Sequence, residues 1–325
     1  MNNKESVGVL LMTYGSPETL DDVQQYMTNV YGGREPASEL VDEFKRRYDL
    51  IGGSPLARIT REQAAALEAE LRRRHPEGPA FHVGIGMRFF PPFVPEGIAS
   101  LAARSVDRIV GVIMSPQYSP ILMGGYLKAV DEGLKGLDRP IPMTVAGSWN
   151  EQPLFLEAIA ERVREALGHV PVEARDDVQV LLSAHSMPKR VVETETGYID
   201  QLKDTAARVA ALAGLPDDRW GFCYQSAGHT PEEWLKPDFA DVMPELAARG
   251  RRRVLIAPVQ FLADHLEILY DIEVGAREQA EEHGIEFMRT SSLNTAPLFV
   301  GALADVVEEQ LASAGAGKAS DPVPA

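Results

Sequence analysis

The chain has 325 residues, 45% of them hydrophobic, and a formal net charge of −16. An acidic chain repels polyanions, so a nucleic-acid partner is not expected. The single cysteine, Cys223, excludes an internal disulfide, a zinc site made of thiolates and an iron–sulfur cluster held by four cysteines. Any metal chemistry must therefore use nitrogen and oxygen ligands.

Along residues 1–148, short apolar segments alternate with longer amphipathic ones. Strands are predicted at residues 7–14, 81–87, 108–115 and 142–148. Helices are predicted at residues 20–30, 37–50, 61–74 and 95–105. Continuous apolarity, as in Val9-Leu10-Leu11-Met12, is typical of parallel strands that helices cover on both faces.

The same alternation returns in the remainder of the chain. Strands are predicted at residues 178–184, 219–224, 253–258 and 285–290. Helices are predicted at residues 151–167, 200–213, 240–249, 264–283 and 297–311. The pattern predicts an α/β fold of two similar Rossmann-like lobes, each with a doubly wound, parallel four-stranded sheet, around a central cleft.

The expected boundaries are residues 1–149 for the first lobe and 150–312 for the second. Residues 313–325 are small, polar and contain proline and glycine, and are predicted to be disordered. Ligands of such sheets bind outside the carboxyl ends of the strands. The loops that follow strands are therefore the places to look for chemistry.

Three segments of the first lobe lie in loops. Tyr14 ends the first strand, where a lone tyrosine is by default a core-edge residue. Residues 51–55 are glycine-rich but lack the lysine and spacing of a phosphate loop, and their backbone amides are candidates to hold a carboxylate. Residues 88–93 are aromatic and proline-rich, so a wall for a flat apolar ligand, a membrane-touching lip and simple packing all remain open.

In the second lobe, His185 directly follows an apolar strand. Its neutral imidazole is able to accept a proton or ligate a metal near pH 7. From that stretch alone, a structural histidine is the more frequent outcome. Downstream, Asp264, Glu267 and Asp271 are spaced i, i+3, i+7 and are predicted to share one helix face. Such a row of acids would pass on a divalent cation or collect protons, the alternative being a solvated acidic face.

Taken together and in this order, these stretches resemble the ferrochelatase family. The resemblance extends over residues 7–307. The matching pieces are Tyr14-Gly15-Ser16-Pro17-Glu18, Ile51-Gly52-Gly53-Ser54-Pro55-Leu56, Ser183-Ala184-His185-Ser186-Met187-Pro188, Tyr224-Gln225-Ser226, Thr230-Pro231-Glu232-Glu233-Trp234-Leu235 and Asp264-His265-Leu266-Glu267-Ile268-Leu269-Tyr270-Asp271.

The resemblance implies a metal chelatase, a lyase of haem biosynthesis that inserts Fe(II) into a porphyrin and releases two protons. It implies that His185 and Glu267 are catalytic and flank the metal on one face of the macrocycle. Asp264 and Asp271 would be secondary metal contacts. Tyr14 matches the tyrosine that the soluble, coproporphyrin-using members place on the opposite face as an axial ligand to the inserted iron.

Coproporphyrin III is therefore the expected substrate, and Fe-coproporphyrin (coproheme) the product. The alternatives are a protoporphyrin IX ferrochelatase, a chelatase for another tetrapyrrole, or a porphyrin- or haem-binding protein without chemistry. By the same resemblance, porphyrin and propionate contacts are expected from Arg47, Tyr48, Ser54 and Tyr126.

The chain departs from the family at two places. Tyr31 and Gly32 stand where relatives often carry an arginine pair, so Tyr31 with Arg88 or Arg34 is expected near a propionate. Gly275 stands where relatives have an outer carboxylate, which weakens the case for a metal site beyond Asp271.

The remaining expectations concern partners and location. No tightly bound cofactor and no iron–sulfur cluster are expected; the partners are coproporphyrin III and Fe(II) as substrates, with transient handover to a downstream haem-pathway enzyme. No apolar run approaches the about 18 residues of a membrane span, and the N-terminus shows no signal-peptide pattern. We therefore expect a cytoplasmic monomer without integral membrane association.

Overall fold

A computed structural model describes residues 4–192, 196–228 and 232–315. Its strands are β1 (Ser6–Thr13), β2 (Ala80–Met87), β3 (Arg108–Ile113), β4 (Met143–Val145), β5 (Val178–His185), β6 (Trp220–Gln225), β7 (Arg253–Pro258) and β8 (Glu286–Arg289). Its α-helices are α1 (Val23–Val30), α2 (Ser38–Leu50), α3 (Leu56–Arg74), α4 (Val94–Ala102), α5 (Pro120–Lys135), α6 (Pro153–Gly168), α7 (Lys189–Val192), α8 (Thr196–Leu212), α9 (Phe239–Ala248), α10 (Arg277–Glu282) and α11 (Pro297–Gly315). A π-helix spans Glu267–Ala276, and 3-10 helices span Leu20–Asp22 and Val172–Asp177.

The strands form two parallel four-stranded sheets with the same internal order. The first runs β2-β1-β3-β4 and the second β6-β5-β7-β8. In the first sheet the chain passes from β1 to β2 on one side and then to β3 on the other side of β1; the second sheet repeats this with β5, β6 and β7. Topological switch points therefore lie between β1 and β3 and between β5 and β7. The predicted α/β fold with two Rossmann-like sheets is confirmed, and each predicted strand is present within a few residues of its expected bounds.

Contacts divide the chain into two compact units, and the first joins residues up to Trp149 to those from Asn294 onward. This corrects the predicted second lobe of residues 150–312, because α11 packs in the first unit. The Trp149 ring stacks on Phe299 with 6.5 Å between centroids. Arg74 of α3 donates to Glu308 of α11 at 2.9 Å.

The predicted disordered tail also begins too early. Helix α11 continues to Gly315, four residues beyond its predicted end, so residues 313–315 are helical. Residues 316–325 lie outside the described residues.

The first unit is built on β1, whose residues Val7 and Val9–Met12 are fully buried. Helix α4 packs against β1 and β2 through Gly97. A Cβ at this glycine would lie 2.4 Å from the carbonyl oxygen of Ile85 and 2.7 Å from Leu10 Cδ1. The helix therefore lies on the sheet at a distance that only glycine permits.

We expect Gly97→Ala to lower the free energy of unfolding by about 1–3 kcal/mol, because the added methyl group overpacks the interface between helix and sheet. Urea denaturation followed by far-UV circular dichroism measures the change. The matched control is Gly124→Ala in α5, where a Cβ meets nothing within 4 Å. That variant is expected to gain about 0.5–1 kcal/mol from reduced backbone entropy. An unchanged unfolding midpoint for Gly97→Ala would contradict the close packing.

The second unit spans Asn150–Leu293 and carries its own core. Helices α9 and α10 and the π-helix contribute apolar side chains to this core, as do β6 and β7. Cys223 of β6 is fully buried and unpaired, and burial raises the pKa of its thiol. Among the described helices none is both long and apolar enough to cross a membrane.

Helical segments differ from the prediction at several places; α7, for example, was not predicted. The segment predicted as one α-helix over 264–283 begins only after His265, and most of it is a π-helix followed by α10. In addition, α5 follows β3 where no helix was predicted.

Candidate active site

His185 is the last residue of β5, the strand that lies between β6 and β7 in its sheet. Its register partner on β6 is Gln225, and β7 lies on the other side. The ring nitrogen Nδ1 lies within hydrogen-bond distance of the Ser186 carbonyl oxygen. Because a carbonyl only accepts hydrogen bonds, Nδ1 must carry the proton. The neutral ring then presents the lone pair of Nε2.

Glu267 is the first residue of the π-helix, beyond the carboxyl end of β7. Its Oε2 lies 3.6 Å from His185 Nε2 and 4.0 Å from His265 Nε2. This oxygen is buried and accepts no hydrogen bond from any residue that the structure describes. An unsatisfied buried carboxylate oxygen is costly, so this oxygen is suited to a cation or a hydrogen-bond donor as its partner.

The distance between His185 and Glu267 suits a shared ion. At 3.6 Å, Nε2 and Oε2 are too far apart for a good direct hydrogen bond. With metal–ligand bonds of about 2.1 Å, two donors so separated subtend an angle of about 120° at one ion. Within the described ranges, however, no three side chains of His, Cys, Asp or Glu form a metal-binding group. An ion here would take its other ligands from elsewhere.

His265 is a member of this site that the sequence analysis did not assign. Its Nδ1 lies 2.9 Å from the Ala263 carbonyl oxygen, so Nδ1 carries the proton and Nε2 is the basic nitrogen, as in His185. The ring of Phe261 meets that of His265 edge-on with centroids 4.6 Å apart, and that of His185 at 6.5 Å. The only sequence signal was an imidazole two residues before Glu267, which fits a solvated helix start equally well.

The acidic row is arranged differently from the prediction. Asp264 precedes the helix, accepts from Ser292 Oγ at 2.7 Å and lies 3.7 Å from Arg289 Nη1. It is therefore not on one helix face with Glu267 and Asp271, which corrects that expectation. Since a π-helix closes i→i+5 hydrogen bonds, its turn is wider than that of an α-helix. The buried residues Ile268, Ile272 and Ala276 recur every fourth position, and Glu267 and Asp271 share that spacing.

In the first unit, the structure brings together Tyr14, Arg88 and Tyr126. Tyr14 follows β1, is 43% exposed, and its ring packs on Phe89 with 4.5 Å between centroids. The Arg88 guanidinium lies over Phe89 at 4.6 Å and over Tyr126 at 5.6 Å, and its Nη1 donates to the Leu122 carbonyl. Burial raises the pKa of the Tyr126 hydroxyl, opposed by the nearby Arg88 charge.

Arg88 has room for this position because α5 carries a glycine beside it. A Cβ at Gly125 would lie 2.1 Å from the guanidinium carbon. The aromatic loop of residues 88–93 is also tied down, since Met87 N donates to the Pro92 carbonyl at 2.7 Å and Asn29 Nδ2 to the Phe89 carbonyl at 3.0 Å. Its three phenylalanine rings are partly buried, which fits packing or a pocket wall better than a lip.

Arg47, Tyr48 and Ser54 lie at the C-terminus of α2 and in the turn after it. Arg47 Nε donates to Glu43 Oε1 at 2.9 Å, and the hydrogen bonds from Arg46 and Arg47 lower the pKa of Glu43 to about 2. Tyr48 is buried, whereas Tyr31, after α1, is exposed.

The amides of both glycines in the turn of residues 51–55 are already hydrogen-bonded, which corrects the sequence interpretation at these two positions. Gly52 N donates to the Asp49 carbonyl at 3.0 Å, and Gly53 N donates to the Tyr48 carbonyl at 2.8 Å. Both glycines have positive φ, at 72° and 89°. The turn is thus a helix C-cap, and its amides satisfy the last carbonyls of α2.

Known proteins are similar to this chain over nearly its whole length. A family model described as ferrochelatase matches residues 6–311. A protein of Herpetosiphon aurantiacus named ferrochelatase is 42% identical over 303 residues, which cover 93% of this chain and 98% of that protein. One of Geobacillus kaustophilus named coproporphyrin III ferrochelatase is 37% identical over 314 residues, covering 96% and 98%.

Among solved structures, the chain is similar to SirB from Bacillus subtilis with Fe3+. The TM-score is 0.58 at 13% identity, covering 97% of this chain and 100% of that one. At this identity the likeness supports the fold alone.

Proposed function

The chain belongs to the ferrochelatase family, and from that premise we propose that it inserts Fe(II) into coproporphyrin III to give Fe-coproporphyrin. The family is one of metal chelatases, which are lyases of haem biosynthesis acting on a porphyrin and Fe(II). The observation that carries the proposal is the pair formed by His185 Nε2 and the unsatisfied Glu267 Oε2, 3.6 Å apart at the switch point of the second sheet.

Insertion requires that two pyrrole N–H protons leave, that Fe(II) loses water, and that iron binds the pyrrole nitrogens without changing its oxidation state. His185 is suited to accept a proton, because its Nδ1 proton is held by a carbonyl and Nε2 is left basic. Glu267 is suited to hold the ion while water leaves, or to take the second proton. His265 Nε2, 4.0 Å from the same carboxylate oxygen, is a further proton acceptor.

Asp264 and Asp271 are proposed as secondary contacts. They add negative charge close to Glu267, which favours the approach of a divalent cation. The hydrogen bond from Ser292 and the nearby Arg289 hold Asp264 in place, so its role is more that of a fixed charge than of a mobile ligand.

Coproporphyrin III rather than protoporphyrin IX is supported by two observations. One of the relatives carries the coproporphyrin name in full, although the Herpetosiphon protein is named ferrochelatase alone. In addition, Tyr14 is exposed at the carboxyl end of β1, where its phenol is accessible to a ligand. Propionate contacts are proposed for Arg88, Arg47, Tyr48, Ser54, Tyr126 and Tyr31.

The test is an anaerobic assay of the purified chain with Fe(II) and metal-free porphyrin, followed by absorbance. We expect kcat/KM to be at least about tenfold higher for coproporphyrin III than for protoporphyrin IX, since the extra carboxylates of coproporphyrin meet basic side chains. Equal or reversed values would support the protoporphyrin alternative. Faster loading of Co(II) or Ni(II) into another tetrapyrrole would indicate a different chelatase, and porphyrin binding without insertion would indicate a carrier.

Tyr14 is proposed as the axial ligand of the inserted iron. After oxidation of the bound product by air, its ferric form is expected to show a phenolate-to-iron charge-transfer band that Tyr14→Phe lacks, because phenylalanine keeps the ring and removes the oxygen ligand. The matched control is Tyr31→Phe, the other exposed tyrosine of this unit, which should keep the band. Identical spectra for Tyr14→Phe and the unmodified chain would remove Tyr14 from the coordination sphere.

We propose that no resident cofactor takes part, since the reaction needs only proton acceptors and ligands that the chain supplies. Fe(II) enters as a substrate. Transient handover of the product to a downstream haem-pathway enzyme remains part of the proposal.

A further inference from the structure

The side chain of Gln260 connects the backbone of His185 to a neighbouring helix. Gln260 lies two residues beyond β7, and its Oε1 accepts from the backbone N–H of His185 at 2.9 Å. Its Nε2 donates to the hydroxyl of Tyr198 on α8. The amide orientation is fixed, because a backbone N–H can only face the oxygen.

The hydrogen bond from the His185 N–H to Gln260 replaces a main-chain hydrogen bond that the β5–β7 pairing lacks. The main-chain pairing of β5 with β7 ends at Ser183 and Pro258, with Val259 N donating to the Ser183 carbonyl at 2.9 Å. If the parallel pairing continued, the next main-chain hydrogen bond would run from the His185 N–H to the carbonyl of residue 259. The Gln260 side chain takes that N–H instead, at the point where the two strands separate around the site.

The position of the His185 ring depends on this backbone. Its Nδ1 is held by the carbonyl of the next residue, Ser186, so the ring follows any movement of the peptide that joins the two. On the opposite edge of β5, Ser186 N donates to the Gln225 carbonyl at 2.7 Å. Gln260 therefore supplies the restraint on the edge that faces Glu267.

We propose that Gln260 is a positioning residue that holds His185 Nε2 toward Glu267. Gln260 does not reach the reacting atoms; it acts through the His185 backbone, with Tyr198 as the outer anchor. The effect of Gln260 on turnover rests on the proposed function of the His185 and Glu267 pair.

The kinetic test uses the full chain with two substitutions at one position. Gln260→Leu keeps the size of the side chain and removes both hydrogen bonds. Gln260→Glu keeps two acceptors, one for the His185 N–H and one for the Tyr198 hydroxyl. The matched control is Gln63→Leu, which removes a buried glutamine whose Nε2 donates to the Asn294 carbonyl at 2.9 Å in the first unit.

We expect Gln260→Leu to lower kcat about 10- to 100-fold with the porphyrin KM within about twofold, because positioning affects the transition state more than binding. Gln260→Glu should recover most of this loss, and Gln63→Leu should keep kcat. A kcat of Gln260→Leu equal to that of the unmodified chain, an equal loss in Gln63→Leu, or no recovery in Gln260→Glu would each overturn the inference.

A second measurement does not depend on turnover. With ¹⁵N-labelled histidine, at a pH where the ring is neutral, the unmodified chain should show His185 with its proton on Nδ1. Gln260→Leu should shift the His185 signals toward a mixture of tautomers and leave those of His283 unchanged. Tyr198→Phe, a milder variant, should give a smaller shift in the same direction. Unchanged His185 signals would overturn the inference even if the chain inserts iron, whereas a folded chain that inserts none would overturn the proposed function alone.

Discussion

The His185→Ala variant is expected to lose iron insertion, with kcat lower by about 10²- to 10⁴-fold, the range typical of a general base. The variant removes the basic nitrogen that faces Glu267 across 3.6 Å. Porphyrin affinity should stay within about tenfold, an apparent change of about 1.4 kcal/mol, since a large apolar macrocycle draws most of its binding energy from other contacts.

Stopped-flow absorbance under anaerobic conditions measures insertion, and fluorescence titration with metal-free porphyrin measures binding. His283→Ala is the matched control, because His283 is an exposed histidine at the end of α10. Near-normal insertion by His185→Ala would show that the proton acceptor is another group, with His265 as the first candidate.

The Glu267→Gln variant is expected to be impaired to a similar degree. Glutamine keeps the size of the side chain and one acceptor oxygen, but it carries no charge and takes up no proton near neutral pH. The buried position of Oε2 would then hold a neutral group that binds an incoming Fe(II) weakly. The metal dependence should distinguish the two variants: because both side chains face the proposed ion, the KM for Fe(II) is expected to rise in both, and to rise more in Glu267→Gln, which also loses a charge.

Glu278→Gln, at an exposed position in the first turn of α10, is the control for a lost carboxylate. If Glu267→Gln retained both the rate and the Fe(II) KM of the unmodified chain, the carboxylate would have no part in insertion.

The sheets could be predicted from the sequence because their physical signal is local. Buried parallel strands read as short, continuously apolar runs, and each such run became a strand within a few residues of its expected bounds. The position of His185 followed from the same signal, since it stands at the end of such a run.

Helix α5 was not predicted because some of its residues are selected by tertiary packing and not by helix propensity. Gly124 and Gly125 lower its helix propensity, and so does Gly133. Two of these glycines are there for packing: Gly125 makes room for Arg88, and a Cβ at Gly133 would lie 2.8 Å from Ile98 Cδ1. Such contacts between distant segments leave no local trace in the sequence.

The π-helix and the glycine turn show the same limit within the site itself. The spacing of Asp264, Glu267 and Asp271 has the period of an α-helix, yet the segment winds more widely and leaves Asp264 outside. The amides of Gly52 and Gly53 serve the end of α2 and not a carboxylate. Backbone hydrogen-bond partners decided both outcomes, and these do not follow from residue types.

Cys223 gives the chain a practical property. The only thiol of the sequence is fully buried and has a raised pKa, so it stays largely unreactive toward maleimides and similar reagents in the folded protein. A cysteine introduced at an exposed position such as Val172 would then accept a fluorescent label at a single known place. Labelled molecules would allow even the inactive variants to be followed in solution without first removing a native cysteine.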